Sequence, residues 1–187
     1  MSYQPVPVPY YITQVLYPGE QVLWYGKPHP GGYLLGNNFV MAIGSSLLIA
    51  TVYLFILVLT GSLVSICIAV PALTMLLTAV AMFWITYWRG KNTEYVVTSH
   101  RVITSRGPKA PLARYTDYTN IRYIWAFRSW IYSGIGSVYL VRKDVPWWRR
   151  GSFIRAGHMD VPGMHNLAAI MNPESVKAMI ESRIPAI

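Results

Sequence analysis

Along the chain the hydrophobic pattern changes period twice. Phe39–Leu59 (FVMAIGSSLLIATVYLFILVL) is an uncharged and mostly apolar run of 21 residues, and Ser62–Trp88 is a second of 27. At about 1.5 Å of rise per residue, each is long enough as a helix to cross a hydrocarbon core of roughly 30 Å. Only Thr60 to Ser62 breaks them, with Gly61 as the turn residue, so the two are expected to form an antiparallel transmembrane hairpin with both open ends on one side.

After Thr93 the period falls to that of strands. Glu94–Thr98 and Arg101–Ser105 are β-branched and aromatic-rich around a two-residue Ser99-His100 turn, and Gly107-Pro108 ends the second. Asn120–Arg128 alternates apolar Ile121, Tyr123, Trp125 and Phe127 with Asn120, Arg122 and Arg128, although Ile124 and Ala126 weaken the polar side. Ser137–Arg142 and Ser152–Ala156 read as further strands. Met164–Met171 is expected to form a short helical turn. Asn172 then stands as the N-cap of a closing helix, with Pro173 at its first position and Glu174 in its first turn. Val176, Met179, Ile180 and Ile184 share one face of that helix. Three parts follow: an N-terminal segment (1–37), the hairpin (38–88, with spans at about 39–59 and 62–88) and a β-rich domain (91–187).

Charge sharpens this division. No Lys, Arg, Asp or Glu lies between Lys27 and Arg89, and Glu20 and Lys27 cancel before the gap, so the net charge of +9 belongs to the C-terminal half. Lys27, Arg89 and Lys91 flank the open end of the hairpin and none flanks its tip. The positive-inside rule therefore predicts a multi-pass plasma-membrane protein with both termini cytoplasmic. The first 26 residues carry no Lys or Arg, which disfavours a cleaved signal peptide. The single cysteine, Cys67, excludes an intramolecular disulfide and a cysteine-based metal cluster.

The candidate sites are those of contact rather than chemistry. Neither span carries an ionisable group, which favours an anchor over a transporter. Ala42, Ser46 and Ala50, with Ser65 and Ala69, place small side chains at four-residue spacing, either to pack the hairpin on itself or to dock another membrane subunit. Trp84, Tyr87 and Trp88 close the second span as an interfacial aromatic belt. Trp147, Trp148, Arg149 and Arg150 suit a membrane interface, where rings enter the headgroup layer and guanidinium groups meet phosphates; packing of the rings on the domain itself is the competing reading. Trp125, Arg128, Trp130 and Tyr132 are either core, the default for the aromatic cluster around Trp125 and Phe127, or a partner surface, since Trp, Tyr and Arg anchor interfaces. His158, Asp160 and His165 match no metal-ligand spacing. No phosphate loop, nucleophile elbow or acid/base pair stands out, so no catalytic, cofactor or metal residue is nominated and no nucleic-acid partner is expected.

Pro18-Gly19-Glu20-Gln21-Val22-Leu23-Trp24 with Gly26-Lys27-Pro28, followed by the hairpin and then by Tyr95-Val96-Val97-Thr98 and Arg101-Val102-Ile103, resembles the membrane-anchored pleckstrin-homology family of bacteria and archaea. Ser99 stands where Asn or Asp is more usual in that family's turn. The resemblance implies an α+β membrane protein: the hairpin followed by a PH-like, seven-stranded antiparallel barrel or sandwich capped by the C-terminal helix. It implies a binding scaffold and no reaction. Phosphoinositide recognition is disfavoured, because Arg101 is the sole cation beside the first turn, with Arg106 and Lys109 beyond the second strand. The expected function is a non-enzymatic, membrane-anchored adaptor or accessory subunit that binds another integral membrane protein or a second copy of itself. The alternative is a module that binds anionic membrane lipids at the cytoplasmic leaflet.

Overall fold

The computed structural model describes residues 7–35, 44, 47–48, 50–53, 55, 64–129, 131–144 and 164–185. A short helix α1 (Tyr10–Thr13) precedes strand β1 (Val22–Gly26) and helix α2 (Pro30–Leu35). A long helix α3 (Val64–Asn92) then runs almost directly into β2 (Glu94–Thr98) and β3 (Arg101–Ser105). Strand β4 (Arg114–Asp117) is followed by one 3-10 turn (Tyr118–Asn120), β5 (Ile121–Arg128), β6 (Ile135–Arg142), β7 (Met164–Met171) and helix α4 (Pro173–Glu181). The strands form two antiparallel sheets, ordered β1-β2-β3-β4 and β5-β6-β7.

The β2–β3 hairpin forms around Ser99-His100 because Thr98 stitches the turn: its Oγ1 accepts from the N–H groups of Arg101 (3.0 Å) and His100 (3.2 Å). The partner on the other side of β2 comes from far upstream. Tyr25 pairs with Val96 and Gly26 with Tyr95, so β1 belongs to the sheet although residues 27–93 separate it from its neighbour. All five β2 residues are buried, which follows from cover on both faces. Tyr95 and Val97 point into the main core with Val102, Ile124, Val138, Leu140, Leu167 and the α4 residues Val176 and Ile180. The alternate residues Val96 and Ile103 meet Ile12 of α1 on the opposite face, with Val8, Leu16 and Tyr25 around them.

Two strands depart from the pattern expected of them. Met164–Met171 forms β7 instead of a helical turn: it pairs along β6 from Met164↔Val141 to Ile135↔Met171, with a register shift between Gly136 and Val138. In β5, an irregularity between Ile121 and Tyr123 advances the phase by one residue. Ile121, Ile124 and Ala126 consequently face the core, while Tyr123 and Phe127 are exposed. An extra residue in one strand sends every later side chain to the opposite face.

The expected transmembrane hairpin is overturned, and with it the multi-pass membrane localisation and the membrane-protein fold class. Among the described residues no helix is long and apolar enough to cross a membrane. Helix α3 does not stop at the aromatic belt but continues through Arg89, Gly90 and Lys91 to Asn92. Its last turns pack on α2, where the Tyr33 ring lies against Gly90 so closely that an added Cβ would stand 2.9 Å from Cδ1. Those turns are therefore part of the α+β fold. Of the first expected span, only positions 44, 47–48, 50–53 and 55 are described. The expected strand Ser152–Ala156 also lies outside the described residues.

Helix α4 begins where expected, although by a different device. Asn172 has a left-handed backbone (φ 48°) and makes no side-chain cap; its carbonyl accepts from the N–H groups of Ser175 and Val176 at 3.1 and 3.3 Å. Asn tolerates that conformation better than most residues.

Candidate functional site

The phase shift in β5 builds an aromatic surface on the outside of the β5–β6–β7 sheet. Tyr123 and Trp125 stack with ring centroids 6.4 Å apart and planes 8° from parallel. Trp125 is the cross-strand partner of Tyr139, and Phe127 meets the Tyr139 ring edge-on at 5.8 Å. Tyr123 is 44% exposed and Phe127 50% exposed. The Arg122 guanidinium lies 5.5 Å from the Tyr123 ring centroid, and exposed Arg128 ends the strand. Such a row of rings on a sheet face buries more apolar area when covered than most exposed surface does.

A second feature is a cleft of about 370 Å³ at the seam between the two sheets. Arg106, just after β3, and Arg114, opening β4, line it together with Thr104, and His165 and Asn166 of β7 face them. Tyr33, the residue that packs on Gly90 of α3, also lines it. Among the described residues that line it there is no Asp or Glu. His165 is buried (1% exposed), and its ring spans two hydroxyls: Nε2 to Thr104 Oγ1 at 2.6 Å and Nδ1 to Thr116 Oγ1 at 3.0 Å. Burial, reinforced by the positive charges of Arg114 and Arg142, pulls the imidazole down to about 3 and holds it neutral. One ring nitrogen therefore donates to a threonine while the other accepts from one.

Two carboxylates tie the N-terminal segment to the first sheet. Glu20 accepts from Arg101 Nε at 3.1 Å and Nη2 at 3.0 Å, from Thr98 Oγ1 at 2.6 Å and from the Tyr17 N–H at 2.7 Å. Arg101 also donates to the Val15 carbonyl at 2.8 Å and lies 3.8 Å from the Tyr17 ring centroid. Burial alone would raise the Glu20 carboxyl, but the hydrogen bonds from Arg101, Thr98 and Tyr17 and the Arg101 charge outweigh it and hold the group below the usual carboxylate range. Glu94 is arranged alike: burial opposes ionisation, while Lys27 at 2.8 Å and the hydroxyls of Tyr11 and Tyr25 more than offset it. The Tyr11 hydroxyl, partly buried and beside that carboxylate, is pushed up to about 12. Both clusters are fully matched and read as fold-stabilising.

The structure brings together only part of what the sequence nominated. Trp125 lies on the aromatic surface, Arg128 is exposed at the end of β5, and Tyr132 is half-buried beside His29, with ring centroids 5.1 Å apart. Trp84, Tyr87 and Trp88 are exposed on α3, with Trp84 and Trp88 6.4 Å apart. Ala50 is half-buried, whereas Ala42 and Ser46 lie outside the described residues, as do the side chains of Ser65 and Ala69. Trp130, Trp147, Trp148, Arg149 and Arg150 are likewise outside them, together with His158 and Asp160. Among the described residues no three His, Cys, Asp or Glu side chains gather closely enough to hold a metal ion. The sequence reading missed the roles of Tyr123 and Tyr139 and the whole cleft. The signal for the first was the Ile124–Ala126 pair, which marks the true inward face once the strand is shifted by one.

No family model matches the chain, nor does any curated protein or any solved structure, so the pleckstrin-homology resemblance gains no support from them.

Proposed function

We propose that the protein is a non-enzymatic adaptor that docks another protein on the outer aromatic face of the β5–β6 sheet. The observation that carries this reading is the outward row Tyr123, Trp125 and Phe127, locked by ring contacts within the row and to Tyr139. Rigid, pre-ordered aromatics lose little conformational entropy on binding and are the side chains that dominate interface energetics. Arg122 borders the row 5.5 Å from the Tyr123 ring, exposed Arg128 ends the strand, and the chain carries +9 overall. An acidic-rimmed partner is therefore favoured over a second copy, whose own arginines would be brought against these.

A photoreactive phenylalanine analogue at position 127, in cells that express the protein, tests the reading. One discrete cross-linked partner is expected from position 127 and none from a control at exposed Lys109. No cross-link, the same pattern from both positions, or a product at twice the chain's mass would contradict it.

A further inference from the structure

We propose that α3 pairs with α3 of a second copy of the chain, antiparallel and about a two-fold axis beside Val80, on a surface independent of the aromatic face of β5. Leu73, Leu77, Val80, Trp84 and Tyr87 follow one another at alternating steps of four and three residues along α3. That is the spacing at which apolar side chains keep facing a second helix. Each of the five is between 36% and 62% exposed, so the seam is presented to the surroundings along about 21 Å of helix. Gly90, which meets Tyr33 of α2, and Thr86, one turn before it, are buried on a side of α3 roughly 120° away. The domain therefore holds one side of the helix and leaves the seam open to a partner.

Charge and symmetry name the occupant. The sequence holds no Lys, Arg, Asp or Glu between Lys27 and Arg89, so a second copy brings no like charges together along the seam and strands none. Arg89 and Lys91 follow the seam at the C-terminal end of α3. A parallel pair would set these cations and both basic domains side by side; an antiparallel pair separates them and opposes the two helix dipoles. The steps of the seam also read nearly alike in both directions from Val80. In the antiparallel pair Leu73 meets Tyr87 of the second copy, Leu77 meets its Trp84, and Val80 meets Val80, as a self-complementary two-fold contact requires. The exposed parts of the five side chains amount to on the order of 500 Å², so two copies hide about 1,000 Å², the area at which specific interfaces begin.

Light scattering of the full chain after size separation, together with disulfide cross-linking in a Cys67→Ser background, tests the pairing. The expected mass is twice that of the chain, falling to one chain in Leu77→Glu/Trp84→Glu. Val80→Cys, beside the axis, should give a covalent dimer under mild oxidation. Leu73→Cys should give none, since the antiparallel pair holds the two copies of that position about 21 Å apart along the axis. A wild-type chain of single mass, or an aggregate of no fixed mass, overturns the proposal, because the seam then has another occupant. A dimer that survives Leu77→Glu/Trp84→Glu overturns it by placing the contact elsewhere. Cross-linking of Leu73→Cys as readily as Val80→Cys shows parallel pairing and overturns it, as does the absence of any cross-link from Val80→Cys. The two cysteine variants decide the matter if the double glutamate variant fails to fold.

Discussion

Arg101 and Glu20 form a buried, two-pronged ion pair across 81 positions of sequence, with both side chains almost fully withdrawn from solvent. The pair fastens the segment before β1 onto the β2–β3 turn, and Thr98 and the Val15 carbonyl complete its hydrogen bonding. A buried pair of this kind is a strong constraint, since removing one partner strands the other's charge in a poorly solvated place.

Glu20→Gln and Arg101→Met are each expected to lower the unfolding free energy by about 3–5 kcal/mol. The double variant should lose less than the two losses combined, because the stranded charge is gone. Urea titration of the four proteins measures this. Additive losses would show that the two groups act independently. The Glu20 carboxyl is depressed in the folded state, so the pair's contribution is present above the unfolded carboxyl value and disappears as pH falls through the folded one.

The strands whose local pattern and long-range pairing agree were legible. Glu94–Thr98 and Arg101–Ser105 carry β-branched residues on both faces and turn tightly at Ser99-His100, and the structure forms that hairpin. The face of β5 was only half legible: Ile124 and Ala126 mark the inward face, but the irregularity between Ile121 and Tyr123 that turns them inward arises from pairing with β6. In strand β7, expected as a helical turn, Met164, Leu167, Ala168 and Met171 fall at helical spacing. Pairing with β6 overrode that spacing, with Ala169 at a φ of 53°. The place of β1 was hidden by distance, since its partner lies beyond residues 27–93. In the apolar runs, hydropathy and length spoke for membrane spans, but the end of α3 packs on α2 through Tyr33 and Gly90, a contact no window of hydropathy contains. The cleft was invisible for the same reason: Arg106, Arg114 and His165 meet only after the two sheets come together.

His165 should give the protein a stability that depends on pH well above the carboxylate range. The unfolded chain binds its proton below about 6.5, while the folded state refuses it until about 3. Stability is therefore full above roughly pH 6.5 and falls as pH drops between these values, by about 1.4 kcal/mol per unit. His165→Gln should flatten the dependence of the urea midpoint between about pH 6.5 and 5, above the carboxylate window. An unchanged slope in that variant would show that the imidazole is protonated in the folded state.

Gly136 pairs across from Arg128 and has no room for a side chain. An added Cβ would stand 2.0 Å from the Phe127 carbonyl oxygen and 2.8 Å from Pro173 Cγ. Gly136→Ala should therefore push β5 and the start of α4 apart, costing about 3 kcal/mol or more. Gly107→Ala is the informative comparison: its φ of 77° carries strain, but nothing lies within 4 Å of the new methyl group, so the loss should be nearer 1 kcal/mol. Thermal unfolding of the two variants separates overlap from backbone strain; equal losses would contradict the packing at Gly136.

The aromatic face carries the central claim, and the most direct measurement is the affinity of the cross-linked partner, once purified, for wild type and for Tyr123→Ser/Phe127→Ser. Both rings are exposed, so the double variant should unfold at the wild-type urea midpoint while its affinity falls about 100-fold or more, as expected when interface anchors are truncated. A double variant that folds normally and binds the partner as tightly as wild type would contradict the assignment of this face as the docking surface.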